Sequence, residues 1–187
     1  MLEAQVLSQP RLATRLALIT GFALFTGVAA QVRVPLPFTP IPITLQVLAV
    51  ILAGLLLGSR DGFLSQLLYV GLVAAGLPLA TAGVGGVAPF LGPTAGYLIS
   101  FPVAAGVVGL LAGDGTRRGR SFLAAIAGVT VIYLFGATWL AVTLHIPPAK
   151  AVALGVAPFL LVDLSKAILA ALVARSGMAL LRLAGSR

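Results

Sequence analysis

The sequence predicts an all-α integral membrane protein, with six transmembrane helices in one domain (1–187), both termini cytoplasmic, and Pro/Gly-rich outer loops folded over a ligand cavity. Three observations carry this prediction. The first is composition: 60 % of the 187 residues are hydrophobic and 9 % charged, and mean hydropathy is +1.14, whereas soluble domains carry about 25 % charged residues. Too few charges remain to cover a water-facing surface, which excludes a membrane-free enzyme. The second is how the charges divide the chain, since a helix needs about 20 apolar residues to cross the hydrocarbon. The third is where the positive charges fall. The net charge of +8 does not point to nucleic acid, because no basic patch stands in polar surroundings. There are no cysteines, so disulfides and thiol chemistry are absent.

The elements follow in order. Apolar runs between charges predict spans at 14–32 and 43–59, the second preceded by Pro35, Pro37, Pro40 and Pro42. The 52 residues from Gly62 to Gly113 contain no charge, too long for one crossing, and their middle is rich in Gly and Pro. They hold two spans, 62–77 and 94–112. Further runs predict spans at 121–144 and 159–182. Six crossings put both termini on one side, and Lys and Arg near span ends stay cytoplasmic. Arg11, Arg15, Arg60, Arg117, Arg118, Arg120, Arg175, Arg182 and Arg187 fall on one side, and only Arg33 and Lys150 on the other. The chain therefore lies in the cell membrane as a multi-pass protein with loops 33–42, 78–93 and 145–158 outside. Span one ends in Val28-Ala29-Ala30 and imitates a signal peptide, but its apolar run is long enough to anchor. We read it as retained; a mature chain beginning at Gln31 would contradict six spans.

All prolines except Pro10 and Pro102 fall in the outer connections. The segment GLPLATAGVGGVAPFLGP (76–93) has five glycines, three prolines and no charge. Irregular backbone at membrane depth persists only when buried in protein or lining a cavity, so this loop is expected to fold over the bundle. Val34 to Pro42, with φ fixed by its prolines, is expected to be a stiff extended strap. Together they suggest a ligand lid.

Asp163 and Lys166 are the ionisable pair within a span, on one helical face at a spacing of three. Each costs at least about 2.5–3.5 kcal/mol at the bilayer centre, so such residues face a bundle interior or cavity. Mutual neutralisation is one reading. The other makes them ligands for a polar anion, with Asp163 accepting N–H donors and Lys166 meeting a carboxylate as a point charge. Thr44 and Gln46, at the outer start of span two, and Thr94 and Tyr97, at the outer start of span four, lie at the same depth. Thr94 is also a plausible N-cap. Gln66 and Tyr69 read as interhelical hydrogen bonds. His145 has no neighbouring carboxylates and reads as interfacial; no metal site is expected. Ala13, Ala17 and Gly21 form a small-residue face that serves either internal packing or the docking of a partner.

The segments VPLPFTPIPITLQ (34–46), LGPTAGYLISF (91–101) and PFLLVDLSKAILAALVA (158–174) resemble the BioY family, the biotin-binding membrane component of energy-coupling-factor (ECF) vitamin transporters, in collinear order over about 15–175. The resemblance implies a six-helix S-component bundle with biotin held under the outer loops. Thr44, Gln46, Tyr97, Asp163 and Lys166 fall on matching motifs. It also implies that Ala13, Ala17 and Gly21 dock against a transmembrane coupling protein joined to two ATPase subunits. Biotin requires an acceptor anion, a cation, neutral donors and an apolar wall, for which Phe38, Phe90 and Phe159 are candidates. Two positions depart from the family pattern. Leu161 and Val162 stand where Pro-Gly is frequent, so the last helix is expected to begin earlier, and Pro93 stands where some members carry a basic residue.

On this reading the chain is a transport subunit with no catalytic site and no cofactor beyond its ligand. It has no G-x-x-x-x-G-K-[ST] loop, so ATP hydrolysis belongs to other subunits. A proton- or ion-coupled secondary transporter with Asp163 as titrating group is the alternative. An intramembrane enzyme would require a nucleophile and base or a metal cluster, and neither arrangement is visible.

Overall fold

The computed structural model describes residues 12–113 and 119–185; the side chains of residue 175 and of residues 177–185 are outside the description. Arg11, Arg117, Arg118 and Arg187, and the side chains of Arg175 and Arg182, therefore lie outside the described residues. Helix α1 (Leu12–Gln31) turns Ile19, Ala23, Thr26, Gly27, Ala29 and Ala30 inward. Its end is closed by Gln31, whose amide donates to the carbonyls of Gly27 at 3.0 Å and Ala80 at 3.1 Å, which satisfies a helix-end acceptor and ties the 77–93 loop to α1.

The Pro-rich segment is not the extended strap its prolines suggest. Strand β1 (Arg33–Val34) pairs antiparallel with β2 (Ile43–Thr44), Arg33 opposite Thr44 and Val34 opposite Ile43, so the chain returns on itself. Its four prolines occupy the connection, where a missing N–H costs no ladder bond. The Thr39 hydroxyl fastens the tip to the Leu154 carbonyl at 2.9 Å.

Helix α2 (Gln46–Ala74) covers the predicted second and third spans and is broken at Gly58, φ 80° and ψ −177°. That conformation is essentially confined to glycine. Beyond it the chain doubles back: a Cβ added at Gly62 would stand 3.0 Å from the Gly54 Cα, whereas eight residues of straight helix span about 12 Å. Bidentate contact of the Arg15 guanidinium with Asp61, Nε to Oδ2 at 2.7 Å, clamps α1 to this reversal.

After the short helix α3 (Ala88–Leu91), α4 (Ala95–Ala112) runs through the middle of the bundle against α2 and α5 (Arg120–Leu144). His145 ends α5 in a left-handed conformation, φ 52°. Helix α6 (Pro148–Gly155) starts on proline, which lacks the N–H that a first turn leaves unpaired, and α7 (Leu160–Gly185) follows a 3-10 turn at Ala157–Phe159. The inward stripe of α7 runs through Asp163, Lys166, Ala167, Ala170 and Ala174. The two charges thus stand on the packing face. Among the described residues, five segments are long and apolar enough to cross a membrane: Leu12–Gln31, Gln46–Ala74, Ala95–Ala112, Arg120–Leu144 and Pro148–Ala174.

Candidate functional site

Where β2, the start of α2 and the 77–94 loop meet the first turns of α4 and α7 and the middle of α5, they line a cavity of about 290 Å3, at the small end of ligand sites, about 300–1,000 Å3. Its wall is mostly apolar, from Ile41, Ile43, Val47, Val84, Leu98, Phe101, Ile132 and Phe159. Seven residues expected at the site line it: Thr44, Gln46, Thr94, Tyr97, Phe159, Asp163 and Lys166.

The polar wall is a connected network. Lys166 Nζ donates to Asp163 Oδ1 at 2.6 Å and to the Thr44 carbonyl at 2.7 Å. The hydroxyl of Tyr133, on α5, donates to Asp163 Oδ2 at 2.7 Å. Both charged residues are buried, 3 % and 6 % exposed, and each carboxylate oxygen has a donor, as burial of an anion demands. Asp163 also lies in the first turn of α7, where the helix dipole favours a negative charge.

Gln46 sits at the centre of a second set. Its Oε1 accepts from Thr44 at 3.2 Å and Thr81 at 3.1 Å, and its Nε2 donates to Tyr69 at 2.8 Å. Tyr69 in turn donates to the Leu79 carbonyl at 3.1 Å. One Gln46 N–H has no protein acceptor among these bonds. The 79–81 stretch of the loop is thereby fastened to cavity residues rather than hanging free. Tyr97 donates to the Gly155 carbonyl at 2.8 Å. Its ring fits because Gly136, on α5, has no side chain: a Cβ there would overlap the ring.

Other expectations meet different outcomes. Phe38 lies at the hairpin turn, 59 % exposed, and Phe90 packs on the core beside the cavity; neither lines it. The apolar wall they were expected to supply comes from Phe101, stacked on Tyr69 with ring centroids 6.3 Å apart, together with Phe159. Thr94 precedes α4 with helical angles and makes no capping side-chain bond. Gln66 does bond between helices, to Thr26 on α1, Nε2 to Oγ1 at 3.1 Å. Ala13, Ala17 and Gly21 face outward, and nothing lies within 4 Å of a Cβ built on Gly21, so packing among the described residues does not account for them.

Tyr133 and Thr81 escaped sequence reasoning, and Tyr69 was read as an interhelical hydrogen bond without its link to Gln46 and the Leu79 carbonyl. A signal was present: the chain has three tyrosines, each in an apolar run, and a buried phenol needs a partner. All three hydroxyls bond within or beside the cavity.

Comparison with known proteins bears on the family and the fold. The BioY family profile matches residues 3–183. A probable biotin transporter BioY of Pyrococcus horikoshii is 44 % identical over 162 residues, 87 % of this chain and 94 % of that protein. The biotin transporter BioY of Rhizobium etli is 41 % identical over 154 residues, 78 % and 82 % of the two chains. A crystal structure of the S-component for biotin from an ECF-type ABC transporter superposes with a TM-score of 0.83 at 28 % identity, covering 89 % of this chain and 92 % of that one.

Proposed function

The chain belongs to the BioY family, and from that premise we propose that it takes up biotin, capturing it at the outer face and releasing it to the cytoplasm as the binding subunit of a vitamin transporter. The observation that carries this reading is the mostly apolar cavity with one buried acid–base pair in its wall. Biotin offers a cyclic urea with N–H donors and a carbonyl, an apolar thioether ring and chain, and a carboxylate. Asp163, Lys166, Gln46, Thr44, Thr94 and Tyr97 are the proposed polar partners, and Phe159 and Phe101 the wall. Calorimetric titration of the detergent-purified protein should give saturable heat with biotin and none with other vitamins; no heat with biotin would overturn the proposal.

Tyr133 belongs in the same proposal as the residue that holds the second Asp163 oxygen. A hydrogen bond to a charged group contributes about 1.5–3 kcal/mol, so Tyr133→Phe should weaken biotin about tenfold or more. Added to Asp163→Asn, the same change should cost little further, because its partner is already altered. Additive losses would argue against action through Asp163.

The membrane arrangement we propose has six crossings, with α2 crossing twice around Gly58, both termini in the cytoplasm and the cavity outside, in the plasma membrane. The two arms of α2 are about 18 and 24 Å long, shorter than the roughly 30 Å hydrocarbon core, which leaves room for the buried outer loops to complete that depth. With no native cysteine, single-cysteine labelling is clean. Lys150→Cys should react with an impermeant maleimide in intact cells, and Arg60→Cys only after permeabilisation; the reverse pattern would invert the topology.

ATP hydrolysis is assigned to separate subunits, a transmembrane coupling protein and two ATPases, and this chain to binding without catalysis. The outward small-residue face at Ala13, Ala17 and Gly21, which continues into a shallow apolar groove with Phe22, Phe25 and Leu52, is the proposed docking surface for that coupling protein.

A further inference from the structure

We infer that this cavity binds its ligand without a cation dedicated to the carboxylate, so that neutral carboxyl derivatives of biotin are bound as well as biotin itself; the inference rests on the biotin reading above. Among the described residues, Asp163 and Lys166 are the only charged side chains in the cavity wall. They are joined at 2.6 Å, so the wall carries no net charge. Even when an incoming carboxylate approaches the ammonium in line with the pair, repulsion from the Asp163 carboxylate removes roughly half of the attraction. In any other placement the cancellation is more complete.

Hydrogen-bond valence leads the same way. Two of the three Lys166 N–H groups are taken by Asp163 and the Thr44 carbonyl. Asp163 keeps lone pairs beyond those used by Lys166 and Tyr133. What remains is one donor beside one acceptor. That arrangement complements a neutral group with N–H and C=O on adjacent positions, such as an edge of a cyclic urea, better than it complements a carboxylate, which is all acceptor. The other outer-face cations, Arg33 and Lys150, are exposed and do not line the cavity.

The test compares biotin with its primary amide, nearly the same shape but uncharged, by calorimetry on the purified full-length protein. The two dissociation constants are expected to agree within about threefold; an amide weaker by about tenfold or more, the cost of losing a charge-assisted hydrogen bond, would overturn the inference. Asp163→Asn supplies the converse. It leaves the Lys166 charge uncancelled and should make the variant prefer biotin over the amide by about tenfold or more, and an unchanged ratio in folded variant would overturn the inference. Binding of neither compound by the natural protein would overturn the biotin reading and this inference with it. Biotin bound and the amide rejected would overturn this inference alone.

Discussion

Lys166→Ala is expected to abolish biotin binding and to lower thermal stability by more than any conservative change in the cavity. The substitution leaves the Asp163 carboxylate, 3 % exposed, without its cation, and removing one partner of a buried ion pair costs about 3–5 kcal/mol. It also removes the tie to the Thr44 carbonyl that joins α7 to β2. The informative comparison is the double variant Asp163→Asn/Lys166→Met, in which no uncompensated charge remains. Stability should largely return, since neutral groups of similar volume often replace a buried pair without loss, while biotin binding should stay absent. Thermal unfolding in detergent and calorimetric titration read the two properties separately. A double variant as unstable as the single one would show that the pair supports the fold rather than the site, and recovered binding would remove Asp163 and Lys166 from the proposed site.

The second large effect is expected at Gly58. At φ 80° and ψ −177° a side chain brings about 1–3 kcal/mol of backbone strain, and relief of that strain would straighten α2 and pull its arms apart. For a chain of this length each kcal/mol corresponds to roughly 2–4 °C in unfolding midpoint. Gly58→Ala should therefore unfold several degrees lower and accumulate less in the membrane. Gly71→Ala is the matched control, because Gly71 lies in the helical second arm with open space around its would-be Cβ, and alanine there is neutral or stabilising. Equal behaviour of the two variants would show that the reversal does not depend on glycine at position 58.

Much of the helical layout was legible in the sequence because charges are scarce and breaks in hydropathy are sharp. The predicted runs 14–32, 94–112 and 121–144 lie close to α1, α4 and α5. The predicted 43–59 and 62–77 runs fall on one helix interrupted at Gly58, a break that Arg60 and Asp61 marked without revealing its geometry. Asp163, Lys166 and Gln46 stood out as polar groups in apolar runs, because an intramembrane polar group must find a partner or a cavity.

The remainder was hidden for a physical reason. In lipid the outside of a helix is as apolar as the inside, so α1 carries Leu16, Leu24 and Phe25 outward and Ile19 and Ala23 inward with no contrast between the faces. Sequence therefore could not tell that Phe159 lines the cavity while Phe38 and Phe90 do not. It also could not place Tyr133, 30 residues from Asp163, at the second oxygen of that carboxylate.

By itself the sequence determined the solvent in which the chain folds, the helices, and which side chains were too polar for lipid to be left unpartnered. These are local consequences of transfer free energy and helix length. Only the tertiary structure decided that the Pro-rich segment closes into a hairpin, that α2 doubles back, that the small-residue face points outward, and that Asp163 spends its charge on Lys166 beneath Tyr133. Each of those depends on which faces meet across the bundle, and in a chain this uniformly apolar, close packing and hydrogen-bond pairing select the faces, not hydrophobicity.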